Sequence, residues 1–145
     1  MTGEFAIGVH AAVFLSCRRG VHSSEEIAAS VCTNPARVRK VLSCLKKAGL
    51  VETKEGSEGG YAFSGNDDAV GLDMIADALG VSFVSVSWRK DHGDPECLIA
   101  SGMDAVMGEI YDSLNLACRS RLRDITIGDI RRRIFPEVHH ADIES

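Results

Sequence analysis

Between Ser23 and Gly60 the chain carries two helix-capping signals, a basic amphipathic stretch and a cluster of glycines, in that order. Ser23 stands three residues before Glu26, the spacing at which a hydroxyl and a carboxylate each satisfy a free backbone N–H at a helix start. Glu25 and Glu26 also suit the positive end of that helix. Asn34 followed by Pro35 opens a second helix, since asparagine accepts from the first free N–H groups and proline needs none. Within it Val38, Val41, Leu42, Leu45 and Ala48 recur at three- and four-residue intervals and define a buried face. Arg37, Lys40 and Lys47 fall on another face, flanked by Arg39 and Lys46, and Gly49 reads as the C-cap. Leu50 to Lys54 and Tyr61 to Ser64 then form two short strands around a glycine-rich tip. A short helix, a turn, a basic helix and a hairpin make the plan of a winged helix-turn-helix, which points to double-stranded DNA as the partner.

The net charge of −5 runs against that reading until its distribution is considered. Residues 18–54 hold eight basic side chains (Arg18, Arg19, Arg37, Arg39, Lys40, Lys46, Lys47, Lys54) against Glu25, Glu26 and Glu52, while residues 55–145 hold eight basic and seventeen acidic ones. The positive charge is thus local, as an electrostatic footprint for nucleic acid is. The apolar run Phe5–Leu15 is interrupted by Gly8 and His10. It falls short of the ~20 residues that span a bilayer, and no secretory leader frames it. Five widely spaced cysteines without a Cys-x-x-Cys argue against a disulfide framework or a zinc finger and for a reducing cytoplasm. No catalytic motif is present: Glu25-Glu26 and Asp67-Asp68 read as cap and turn residues, so an enzyme is not expected.

Around the central stretch, Glu4 to Arg18 is apolar on nearly all sides and reads as a buried helix ended by Gly20. Gly71 to Leu79 reads as a helix closed by Gly80. Val84-Ser85-Val86-Ser87-Trp88 alternates like a strand, and Asp91 to Asp94 reads as a loop. Pro95 opens a long helix to about Arg123, with Ile99, Met103, Val106, Ile110, Leu114 and Ala117 in one stripe. Such a helix is roughly 40 Å long, more than a small domain covers. Six apolar side chains at ~1.5–3 kcal/mol each, roughly 10–18 kcal/mol gross, are enough to offset the cost of association. A short helix over Ile125–Arg133 and a loose tail from Phe135 complete the chain. The expected fold is mainly α with a small β wing: a winged helix-turn-helix over 1–80, a connector over 81–94, a long dimerisation helix and short last helix over 95–133, and a tail over 134–145.

The segments Phe5-Ala6-Ile7-Gly8-Val9-His10, Thr33-Asn34-Pro35, Val38-Arg39-Lys40-Val41-Leu42, Leu45-Lys46-Lys47-Ala48-Gly49-Leu50-Val51, Gly59-Gly60-Tyr61 and Thr126-Ile127-Gly128-Asp129-Ile130 resemble, in order and spacing, the Rrf-two family of bacterial transcription regulators. The resemblance covers roughly residues 4–131. It implies a homodimeric DNA-binding repressor joined through the long helix. Cluster-binding members carry three close cysteines ahead of that helix, whereas this chain has Cys97 alone. His92, His139 and His140 do not restore a ligand set, so the resemblance implies no iron–sulfur cluster and no other cofactor or metal. The wing departs too, with Glu55, Ser57 and Ala62 where members often carry Arg, Pro and Arg.

On DNA, the helix opened by Asn34 is expected in the major groove. Thr33, Asn34, Pro35 and Ala36 form its leading turn, Arg37 and Arg39 read guanine or clamp phosphate, and Lys40 lies on the backbone. Lys54, Ser57 and the backbone N–H groups near Gly59 and Gly60 are expected to meet the neighbouring minor groove or backbone. Cys17, Cys44 and Cys118 read as core. Cys32 lies in the turn before the basic helix, where a helix N-terminus favours the reactive thiolate. Cys97 opens the long helix, the place that members use for sensing. A Cys32–Cys97 disulfide, within or between protomers, is therefore an expected redox response. A regulator answering to a small molecule, and a winged helix turned protein-interaction module, are the alternatives.

Overall fold

The structure, a computed structural model, describes residues 2–84 and 96–136. Helix α1 (Thr2–Cys17) runs through the middle of the domain and packs on every other helix of the head. Ala11, Leu15 and Ser16 are fully buried within it, which accounts for its lack of a polar face. Helices α2 (Ser24–Val31) and α3 (Pro35–Lys47) form the helix-turn-helix. Strands β1 (Val51–Lys54) and β2 (Gly60–Phe63) pair antiparallel, with Val51 opposite Phe63 and Lys54 opposite Gly60. A 3₁₀ turn (Asp67–Ala69) leads into α4 (Leu72–Leu79), which Gly80 closes in the left-handed conformation. Gly8 is required where α1 crosses α4, because a Cβ there would lie 2.8 Å from Leu79 and 3.1 Å from Ile75.

Helix α5 (Leu98–Arg123) has Cys97 as its N-cap and no side-chain capping bond. The proposed opening at Pro95, the strand reading over residues 84–88 beyond Val84, the loop Asp91–Asp94, His92 and the tail beyond residue 136 lie outside the described residues. The C-terminal half of α5 is anchored to the head. Arg119 pairs with Asp77 at 2.6 Å, Arg123 with Asp73 at 3.8 Å, and Asn115 bonds the backbone of Phe83 and Val84. No residue of α5 is buried.

Helix α6 (Ile127–Ile134) opens with a complete capping box between Thr126 and Asp129, and those bonds hold the Asp129 carboxyl below the usual carboxylate range. Sequence grouped this helix with the long one. The structure instead packs it on α1 and the 3₁₀ turn, with Ile127 fully buried in the same core as Leu15 and Ile75. The C-terminal half of α5 therefore leads the chain back to the head, where the last helix packs.

Candidate nucleic-acid interface

The reading head is built from its caps. Ser23 Oγ accepts from the Glu26 N–H at 3.2 Å, but the other half of the expected box is not made. The Glu26 carboxylate turns instead to His22 Nδ1 at 2.8 Å, and His22 Nε2 donates to the Arg18 carbonyl. At the far end of α2, Cys32 adopts φ 61°, ψ 48°, and the Thr33 N–H closes back on the Ala28 carbonyl. This is the left-handed helix stop that glycine usually supplies, and a side chain there costs ~1–2 kcal/mol. Asn34 Oδ1 accepts from the Ala36 N–H at 2.7 Å, leaving the asparagine amide N–H₂ for an outside partner.

Val38, Val41, Leu42 and Leu45 seat α3 in the core, so its opposite face is turned outward at Ala36, Lys40, Ser43 and Lys47. Sequence reasoning passed over Ser43, though the helical spacing from Ala36 and Lys40 places it on this face. Arg37 and Arg39 flank that face on opposite sides. Arg37 lies beside Gly3 of α1 and makes no ion pair among the described residues. Arg39 is half-exposed and held by α2, with Nη1 3.2 Å from Ser24 Oγ and 3.5 Å from Glu25. Lys40 reaches Glu4 at 3.4 Å.

The wing is fastened to the head through His22, whose backbone exchanges two hydrogen bonds with Tyr61 at 2.8–2.9 Å. Gly60 is needed because a Cβ would collide with the His22 carbonyl. Gly59 is needed because a Cβ would collide with the Lys54 carbonyl. Of the N–H groups expected to meet the neighbouring minor groove or DNA backbone, that of Gly59 bonds the Gly56 carbonyl at 3.0 Å. Lys54 and Ser57 are exposed, as are Glu52, Glu55 and Glu58 around them.

Burial pushes the Cys17 thiol up, against the pull of Arg131, consistent with a core role. Cys32 is exposed, and its Sγ faces the Ala29 carbonyl at 3.8 Å rather than the N–H groups that open α3. Cys97 and Cys32 are not joined. Helix α5 is anchored from Asn115 onward, and the helical rise carries Cys97 about 27 Å further along the axis.

The residue that sequence reasoning missed most completely is Asp67. It is buried, with its carboxylate 2.5 Å from Ser16 Oγ and 2.6 Å from Arg131 Nε. Next to it Asp68 pairs with Arg132 at 2.7 Å. The turn after the wing is thereby locked to α1 and α6. A paired Asp-Asp at a predicted turn, far from any arginine in sequence, carries no signal that one of the two is buried.

A basic helix presented beside a two-stranded hairpin, on a helical head with an appended long helix, defines the winged-helix class of DNA-binding regulators. A family model described as Rrf2, iron-dependent transcriptional regulator, matches residues 1–133. The chain belongs to the Rrf2 family and is a transcriptional regulator. It is 24% identical over 136 residues to YwnA of Bacillus subtilis, an HTH-type transcriptional regulator, covering 93% of this chain and 99% of that one. The fold is shared with a transcriptional regulator from Lactobacillus plantarum (TM-score 0.77, 22% identity, 94% and 93% of the two chains). It is also shared with CymR, the global cysteine regulator of B. subtilis (TM-score 0.64, 22% identity, 90% and 94%). The family description raises iron. Among the described residues no three His, Cys, Asp or Glu side chains converge as a metal site would require. Among the same residues no helix is long and apolar enough to cross a membrane.

Proposed function

We propose that the protein is a sequence-specific repressor that binds a pseudo-palindromic operator as a homodimer. The observation that carries this reading is the outward face of α3, where Lys40 and Lys47, with Arg37 alongside, stand clear of the core at the open side of the helix-turn-helix. In this reading the leading turn of α3 enters the major groove, Arg37 and Arg39 meet base edges or phosphate, and Lys40 and Lys54 meet the backbone. Selection of bound genomic fragments followed by titration in rising salt tests it. Affinity for the selected sequence should fall by orders of magnitude between 50 and 200 mM salt, as the release of counterions from several phosphates requires. Binding that is insensitive to salt and sequence would favour the protein-interaction reading, which the exposed Glu52, Glu55 and Glu58 of the wing support.

The dimer reading rests on α5. Ile99 is 77% exposed, and Met103, Val106, Ile110 and Leu114 are 40–50% exposed, along one stripe of a helix that its own domain does not cover. Apolar surface of this extent on a regular element marks an interaction face. Ile110→Glu places a charge in the stripe without touching the head. It should lower the solution mass from twice the 15.6 kDa chain mass to that of one chain, measured by light scattering.

The redox reading pairs Cys32 with Cys97 of a second protomer, since α5 carries Cys97 away from its own head. The pairing joins two thiols and needs a two-electron oxidant such as a peroxide, which is reduced as the S–S bond forms. Operator affinity should fall after mild peroxide in the native protein and hold in Cys32→Ser and Cys97→Ser. An equal response in all three removes the reading.

A further inference from the structure

Helices α1, α2 and α6 enclose a groove of about 820 Å³ that the DNA-binding reading leaves unused. Phe5, Val9, Val13 and Phe14 of α1 form its floor, and Ile130, Ile134 and Phe135 form one wall. The other wall is α2, through Glu26, Ala29 and Ser30. Its size and largely apolar lining, with a few polar groups, are those of small-molecule sites.

The polar groups determine the class of ligand. Arg18 stands at the groove with its guanidinium 5.1 Å from the centre of the Phe14 ring. It makes no ion pair among the described residues, and the nearby carboxylate, Glu26, is taken by His22 at 2.8 Å. His10 and Ser30, bonded to each other at 2.9 Å, offer further hydrogen-bonding atoms in the same lining. An arginine with no ion pair among the described residues, beside an apolar trough, complements a carboxylate with a hydrocarbon body. We propose that this groove binds a small amphipathic monocarboxylate, with its chain along α1 and its headgroup on Arg18. Because α2 forms a wall and also holds Arg39 through Ser24 and Glu25, occupation should change the presentation of α3. That second step rests on the DNA-binding reading; the binding site does not.

Calorimetry on the full chain without DNA, using decanoate and its uncharged counterpart decanamide, tests the site. Decanoate should bind saturably below about 1 mM and at least about tenfold more tightly than the amide. Arg18→Gln should abolish that preference, and Ala29→Leu, an exposed position on the α2 wall, should weaken both ligands. Equal affinity for acid and amide, no saturable binding, or affinities unchanged in both variants would overturn the proposal. So would a drop in the solution mass of Ala29→Leu, which would make the groove a contact between protomers. Circular dichroism and the melting temperature verify that each variant folds, with Ala6→Leu on the α1 side as a second way to narrow the groove. Operator affinity in saturating decanoate then reads the second step. A change supports it, and an unchanged affinity sinks the coupling while leaving both the site and DNA binding intact.

Discussion

Replacing Asp67 with alanine is expected to destabilise the protein by about 3–5 kcal/mol, the cost of leaving a buried charge without its partner. The Arg131 side chain is 8% exposed and that of Asp67 2%, so neither is solvated when the other is removed. Ser16, fully buried, loses its acceptor at the same time. Arg131→Ala should cost a similar amount. Urea unfolding followed by circular dichroism measures both. The triple variant Ser16→Ala, Asp67→Leu, Arg131→Met removes the polar groups together and should recover a substantial part of the loss, since an apolar cluster can replace a buried ion pair at little net cost. If Asp67→Ala loses less than about 1 kcal/mol, the pair is more hydrated than its burial indicates. The effect should extend to the wing, because the turn held by Asp67 follows directly from β2.

This pair also shows where sequence reading stops. Elements whose formation is local were legible: the Ser23 and Asn34 caps, Pro35 at a helix start, the left-handed glycines after α3 and α4, and the buried face of α3 as far as Leu45 follow from spacing and conformational preference alone, whereas Ala48, read as the end of that face, is the exposed C-cap. The long α5 was legible as a stripe with no cover. The placement of α6 was not, because its capping box states where it begins and nothing about what it packs against. Asp67 meets Arg131 across 64 positions, and no periodicity encodes such a contact. The geometry of the site was legible in outline and wrong in detail for the same reason. Charge on α3 was visible in sequence, but the side from which α2 reaches Arg39, and the turn that uses up the Gly59 N–H, depend on tertiary packing.

The second large effect concerns Arg39, and its local surroundings determine how it should be tested. Arg39→Ala is expected to lower affinity for the native operator by about 1–3 kcal/mol, the value of a bidentate arginine–guanine contact, and to relax selectivity at one base position of each half-site. In the free protein the guanidinium rests on Ser24 and Glu25. Side-chain exposures of 50% and 69% make this a weak surface pair, easily surrendered to a stronger partner. Glu25 nevertheless presents a carboxylate beside the path proposed for the DNA. Glu25→Gln should therefore tighten binding to all sequences by a few-fold and steepen the salt dependence, while leaving base preference unchanged. In Arg39→Ala the same Glu25→Gln change should keep its sequence-independent gain through phosphate repulsion and lose whatever part came from freeing the guanidinium. The difference between the two backgrounds measures the coupling of the pair. Fluorescence anisotropy on the native operator and on variants with one base pair changed gives all four affinities. An Arg39→Ala protein that binds and discriminates like the native one would show that Arg39 serves to brace α2 against α3, and would move base reading to Arg37 and the outward face of Ala36, Lys40 and Ser43.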